Sequence, residues 1–454
     1  MVKDLTKGTP FKLILSFSAV LMVSSVCQYL YNVADTMIVG RFISSDALAA
    51  VGATGSITFL ILGFMNGISS GFGVVIGQLF GAGDLPKLRR CVANIIWTAL
   101  AVVTVVTTLS CALTRDILTW MNTPADIFEM SYDYLIVMFG GMVFTLFYNT
   151  LAAILRALGD TRTPLIVLIV AVFLNVIFDI LFVVTFGWGV AGAAYATLLA
   201  QAISAFGCLF YIIKKVPILH FSRSETGLDF SLVRRLLSVG APMGLQFSIT
   251  AIGNIILQAA VNRHGTDVVA AITTCDKVAN LFTMFMDAVG ATMAFYCAQN
   301  RGARRIDRVR HGVRSGLLYE IGLAVFGALI LFFFGKELCM LFIGDAPAVL
   351  AYCDDYMLIK VIFFVALAPI FVLRNSVQGL GYSAPAMLGG VIELFTRSAT
   401  AIFFADNLFI LYMGGPFAWV AASVLFFIIY PIVIRRLSRK GDVRVAENAL
   451  QKAV

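Results

Sequence analysis

The chain is built from long apolar runs. Stretches rich in Leu, Ile, Val, Phe, Ala and Gly fall at 13–40, 47–79, 91–113, 131–155, 164–186, 190–213, 235–261, 268–298, 313–334, 356–376, 384–405 and 411–434. A helix needs about 20 such residues to cross the hydrocarbon core of a bilayer. Backbone polar groups cannot stay unpaired there, so runs of this kind fold as helices. The expected fold is all-α and integral to the membrane, with twelve transmembrane helices. Composition agrees: 60% of residues are hydrophobic and 13% charged, where a soluble domain carries about 25% charged residues. The start, MVKDLTKGTPFKLIL, lacks a small-residue cleavage site and reads as the beginning of span one, not a removed signal peptide.

Basic residues test the span count. On the side of the amino terminus lie Lys3, Lys7, Lys12, Lys87, Arg89, Arg90, Arg156, Arg162, Lys214, Lys215, Arg223, Arg234, Arg235, the group from Arg301 to Arg314, and the carboxy-terminal group from Arg435 to Lys452; together these are 25 of the 33 Lys and Arg. Opposite loops hold only Arg41, Arg115, Arg263 and Lys336. Positive charge stays cytoplasmic. Both termini are therefore expected in the cytoplasm, as an even number of spans requires, and the plasma membrane is the expected location.

The second half repeats the first. At an offset of 221, residues 46–89 and 267–310 share 10 identities in 44 positions, among them Ala49-Ala50 with Ala270-Ala271, Phe64-Met65 with Phe285-Met286, and Gln78 with Gln299. RALGDTRTP and QGLGYSAP correspond further on. Six plus six spans in one order predict two pseudo-symmetric six-helix lobes, at 1–213 and 236–436. A basic cytoplasmic linker at 214–235 and a tail at 437–454 complete the chain. Transporters are often built from such repeats, with substrate bound between them.

Within FLNVIFDILFV, Asn175 and Asp179 are four residues apart and share a helix face. A carboxylate at mid-membrane costs at least about 2.5–3.5 kcal/mol, so it normally faces a cavity or a partner. A second acid, Asp35, lies in YNVADTMIVG of span one, with Tyr31 one turn away. Asp179 and Thr197 each sit eight residues, about 12 Å, from the outer ends of spans five and six. Asp35 is also in the outer half, and Asn149 lies lower on span four. Burial favours a protonated carboxyl group, and a second carboxylate favours it further. Such a pair can exchange a proton near neutral pH; the same oxygens suit Na⁺. The alternative is that these groups merely join helices.

These residues carry a resemblance. YNVADTMIVGRF and ALAAVGATG, the paired turns GQLFGAGD and AQNRGARR, and the pair RALGDTRTP and QGLGYSAP resemble the multidrug and toxic compound extrusion (MATE) family over about 13–434. The resemblance implies two six-helix lobes exporting amphipathic, often cationic compounds against H⁺ or Na⁺. It is nearest to the branch called DinF-like, which implies an ion site at Asp35, Asn175, Asp179, Thr197 and Asn149, with Tyr31 beside it. Where the NorM-like branch has acids, this chain has Thr250 and Leu367. The proline expected in span one is also replaced, by Val20, while the second half keeps Pro242.

Other intramembrane polar groups are candidates for a substrate cleft. Asp287 has Asn66 as its repeat partner, and Met65 and Met286 precede them. Glu393 and Arg397 are four apart on span eleven, a spacing for an ion pair within one helix; they read first as structural and second as cleft wall. Gly63, Gly67 and Gly71 form a helix-packing stripe, and Pro369 predicts a kink with freed carbonyls in span ten. The eight cysteines show neither metal-ligand nor disulfide spacing, and a Cys339–Cys353 bridge is disfavoured. The three histidines form no cluster. There is no nucleophile–base set and no phosphate-cradling loop, so the chain is not expected to be an enzyme or to bind nucleic acid or a cofactor. The expected function is secondary active efflux by a monomer in the lipid bilayer, coupled to H⁺ or Na⁺, of an amphipathic, cationic small molecule. The alternative is a flippase for a lipid-linked saccharide, which would need more cavity arginines than Arg374 and Arg397.

Overall fold

The computed structural model describes residues 3–220, 222, 225–344 and 346–453, with side chains through Arg439. Arg223 and the side chains of Lys440, Arg444 and Lys452 lie outside the described residues. The elements are helices in succession: α1 (Pro10–Phe42), α2 (Ser45–Gly81), α3 (Leu85–Trp120), α4 (Ala125–Gly140), α5 (Met142–Ala157), α6 (Arg162–Asp179), α7 (Gly189–Lys215), α8 (Phe230–Val261), α9 (Thr266–Gly302), α10 (Ile306–Ile343), α11 (Pro347–Phe363), α12 (Leu367–Pro369), α13 (Asn375–Gly379), α14 (Ser383–Phe403) and α15 (Leu408–Ala453). Among the described residues there is no strand. Among the described residues, eleven stretches are long and apolar enough to span a membrane, and the bent pair α4–α5 supplies a twelfth.

Two spans break, at corresponding places in the two halves. α4 and α5 meet at Gly141 with a 47° bend. Span ten passes through a 3₁₀ turn at Phe364–Ala366, α12, and a π-helical turn at Ile370–Arg374. Pro369 causes the second break, since it has no N–H for the helix ladder. The Ile370 N–H turns to the Leu367 carbonyl, and the Ala366 carbonyl accepts instead from Ser423 Oγ at 2.5 Å. The freed carbonyl expected from the sequence is thus satisfied by a neighbouring helix. α1, which lacks the proline, runs unbroken for 33 residues.

The chain divides into two compact units, each with six spans. The first holds Val23–Gly244 with Lys3 and Asp4; the second holds Leu5–Met22 and the chain from Leu245. The start of α1 therefore packs with the second unit, and the start of α8 with the first. The repeated turn motifs hold these crossing starts. In the second unit, Gln299 Oε1 accepts from the Leu5 N–H at 2.8 Å, and Asn300 donates to the Leu5 carbonyl at 3.3 Å. Arg305 and Arg308 donate to the Thr6 and Gly8 carbonyls at 3.0 and 2.9 Å. In the first unit the repeat equivalent Gln78 accepts from Arg235, at the start of α8, at 2.9 Å. The preceding linker is pinned to α3: Asn94 accepts from the Asp229 N–H at 2.8 Å and donates to the Gly227 carbonyl at 3.2 Å, and Arg89 pairs with Glu225 at 3.3 Å.

The glycine stripe on α2 is where α8 enters the first unit. A Cβ on Gly71 would stand 2.4 Å from Gly240 Cα, and one on Gly67 2.6 Å from Gly244 Cα. Backbones this close leave no room for a side chain. Gly71→Val should therefore lower the yield and melting temperature of folded protein in detergent. Gly52→Ala, where a Cβ would meet nothing within 4 Å, should be neutral or stabilising by up to about 1 kcal/mol. Fluorescence-detected size exclusion with a thermal ramp reads both.

Candidate functional site

The first unit buries a set of polar groups among apolar helices. Asp179 is the last residue of α6, and the helix continues as a π-helical turn, Ile180–Thr185. Such turns are rare and frequent at functional sites. Asn175 is one turn earlier, and both side chains are 0% exposed. Asp35 on α1 is 9% exposed, and Thr197 on α7 is 8% exposed. Asp35 and Asp179 lie in each other's electrostatic range. The Tyr31 hydroxyl faces Thr197 and both aspartates. Tyr134 of α4 also faces both acids; nothing in its stretch, SYDYLIV, marked it in the sequence. Around this set, Ile38, Val39, Met138, Val183, Val190 and Leu198 form an apolar core.

Unpaired buried atoms gather at this site. Both oxygens of Asp179, Oδ1 of Asp35, both amide atoms of Asn175 and the Tyr31 hydroxyl are buried without a hydrogen-bond partner. Leaving one buried polar group unpaired costs about 1–3 kcal/mol, and most buried polar groups in proteins avoid it. A core evolved only for packing would have no use for six such atoms in one place. The donor set is rich in oxygen and contains two acids, the chemistry that takes a proton or a hard cation such as Na⁺. Asn149, on α5 eight residues beyond the bend at Gly141, is half-buried and stands outside this group of unpaired atoms.

The second unit holds a different arrangement. Glu320 of α10 is 0% exposed with both carboxylate oxygens unpaired. It lies in the field of Asp287 on α9, and Asp287 in that of Arg374. The Gln246 carbonyl oxygen, assigned by its surroundings, accepts from Arg374 Nε and Nη1 at 3.2 and 3.1 Å. Glu320 carries a sequence signal of its own: LLYEIGLAV, like FLNVIFDIL, sets a lone acid in an apolar run. Thr250 is partly buried and Leu367 buried, so neither position brings an acid here.

The cleft candidates separate by helix face. Asn66 and Asp287 are exposed, whereas Met65 and Met286 are buried at 0% and 1%. Met65 packs with Leu135, Phe139 and Leu146 in the first unit's core. The two methionines are thus core residues, not cleft lining, because adjacent residues on a helix point about 100° apart. Glu393 and Arg397, both buried, form an ion pair at 3.2 Å. Asp276, half-buried, pairs with the buried Lys360 and accepts from Tyr356 Oη at 3.2 Å.

Twelve apolar spans in two repeated units, with buried acids in each, define a polytopic membrane transporter. A family model described as MatE matches residues 21–181 and again residues 242–398. The chain belongs to the MatE family, a family of small-molecule transporters. It is similar to "Probable multidrug resistance protein YpnP" of Bacillus subtilis, 28% identical over 86% of this chain and 87% of that one. It is also similar to "Probable multidrug resistance protein NorM" of Thermotoga maritima, 26% identical over 89% and 88%. Among solved structures, a transporter of the MOP superfamily from Pyrococcus furiosus matches with a TM-score of 0.89 over 96% of this chain and 98% of that one, at 20% identity.

Removing one partner of a buried ion pair costs about 3–5 kcal/mol, because the other charge is left alone. Glu393→Gln should therefore lower the melting temperature of the purified protein clearly, while the double change Glu393→Met with Arg397→Met should recover most of the loss. A thermal melt of the four-member cycle tests this.

Proposed function

We propose that the chain is a secondary active exporter of amphipathic, often cationic small molecules, driven by entry of H⁺ or Na⁺ at Asp35 and Asp179. It works as a monomer in the plasma membrane with both termini in the cytoplasm, as the Lys and Arg distribution indicates. The observation that carries the coupling role is the group of unpaired buried oxygens shared by α1 and α6. Multidrug resistance in the names of its relatives supports the substrate class.

The physical logic is a shift between two states. A cation bound between Asp35 and Asp179 removes the repulsion of two carboxylates and satisfies their oxygens, so it favours whichever arrangement of α1 and α6 brings them together. Loss of the cation favours separation. Asn175, Thr197 and Tyr31 supply further polar atoms and select the ion by the number of ligands they offer. α1 is suited to transmit the change, because its two ends pack in different units. Asp287, exposed and close to Arg374 and Glu320, offers negative charge to a cationic substrate.

Proteoliposomes with an imposed H⁺ or Na⁺ gradient test the coupling. Asp35→Asn and Asp179→Asn should each reduce gradient-driven uptake of a fluorescent cation at least tenfold while substrate binding to the purified protein persists. Undiminished driven uptake in either variant would refute the coupling role. Running the gradients one at a time identifies the ion.

A further inference from the structure

Outside the acid sites, one side-chain cluster has no part in the proposed transport cycle. Cys275 of α9, Cys339 of α10 and Cys353 of α11 come together in the second unit. All three are free cysteines and at most 1% exposed. Their Sγ atoms lie within 4.8 Å of one another, with Cys275 and Cys339 3.8 Å apart. The residues are 64 and 78 positions apart in sequence, so no spacing motif exposes them.

The separation suits one shared ion. A thiolate–metal bond of about 2.3 Å places two sulfurs on a common ion at most about 4.6 Å apart, and about 4.0 Å apart in a trigonal set. The Cys275–Cys339 pair already has that spacing, and the widest pair must close by at most about 0.8 Å. Charge then selects the occupant. Two cations near the set are already paired, Lys360 with Asp276 and Lys336 with Asp354 at 3.0 Å, and Lys277, two residues from Cys275, is exposed. A three-thiolate complex would carry two net negative charges around a monovalent ion and one around a divalent ion. An uncompensated charge in an apolar interior is costly. Around a trivalent centre the complex is neutral.

We propose that Cys275, Cys339 and Cys353 form a binding site for a trivalent thiophilic metalloid of the arsenite class. Arsenous acid, As(OH)₃, exchanges its three hydroxyls for three thiols. Each S–H and As–O bond breaks, each proton leaves with its hydroxide as water, and three As–S bonds form with no change of oxidation state. The product ties α9, α10 and α11 together close to the α10–α11 turn.

The test uses the full chain, purified, reduced with a phosphine and held in lipid nanodiscs. After incubation with arsenite and gel filtration, elemental mass spectrometry should find a single arsenic per chain, and X-ray absorption should show sulfur alone around it. Cys275→Ala and Cys353→Ala should each bring retention to background, while Cys91→Ala and Cys297→Ala retain it. Arsenite should raise the melting temperature of the wild type, and Zn²⁺ supplied in the same way should not be retained. To guard against misfolded variants, alkylation of the wild type should show these three thiols, and no others, protected by arsenite. Absence of retained arsenic in the wild type, retention in Cys275→Ala, protection of other cysteines, or preferential retention of Zn²⁺ would each overturn the assignment.

Discussion

Charge placed in a medium that cannot solvate it organises this molecule. Hydrocarbon accepts helices and little else, and each polar group inside them must find a partner or serve a purpose. Most do find partners. Glu393 meets Arg397, Asp276 meets Lys360, and the carbonyl freed near Pro369 meets Ser423. Asp35, Asn175 and Asp179 in the first unit and Glu320 in the second do not. The contrast matters because Asn175, Asp179 and Glu320 are at least as enclosed as the satisfied Glu393–Arg397 pair. Cation capture is the role proposed for Asp35, Asn175 and Asp179.

The same economy shapes the ends of the helices. The repeated turns GQLFGAGD and AQNRGARR do more than reverse the chain. Their glutamines hold the chain just before, or at the start of, a span that begins in one unit and ends in the other. The glycines of α2 then admit the start of α8 to backbone contact. A helix that begins in one unit and carries Asp35 in the other suits the coupling proposed above.

Much of this was legible in the sequence. Apolar run length gave the spans, and the internal repeat gave two like units, because both depend on local composition. The i,i+4 spacing revealed Glu393 with Arg397 and placed Asn175 beside Asp179 on one face. Pro369 predicted the irregularity in span ten, but the bend at Gly141 carried no comparable signal, since glycine in a membrane helix more often marks close packing. Tyr134, the exchange of α1 and α8 between units, and the meeting of three cysteines depend on tertiary placement of distant residues, which periodicity cannot report. Met65 and Met286 were misjudged as cleft lining because a one-residue step on a helix moves a side chain from cleft to core. Glu320 was legible but overlooked.

The proposed coupling requires that the acids on α1 and α6 jointly hold a cation. Direct counting tests it: purified protein in nanodiscs is equilibrated with radioactive Na⁺, and in parallel its proton uptake is followed by a pH-sensitive dye during a pH jump. One saturable cation per chain, Na⁺ or H⁺, is expected, and it should disappear in both Asp35→Asn and Asp179→Asn. Saturable binding that survives in both variants, or none in the unaltered protein, would contradict it.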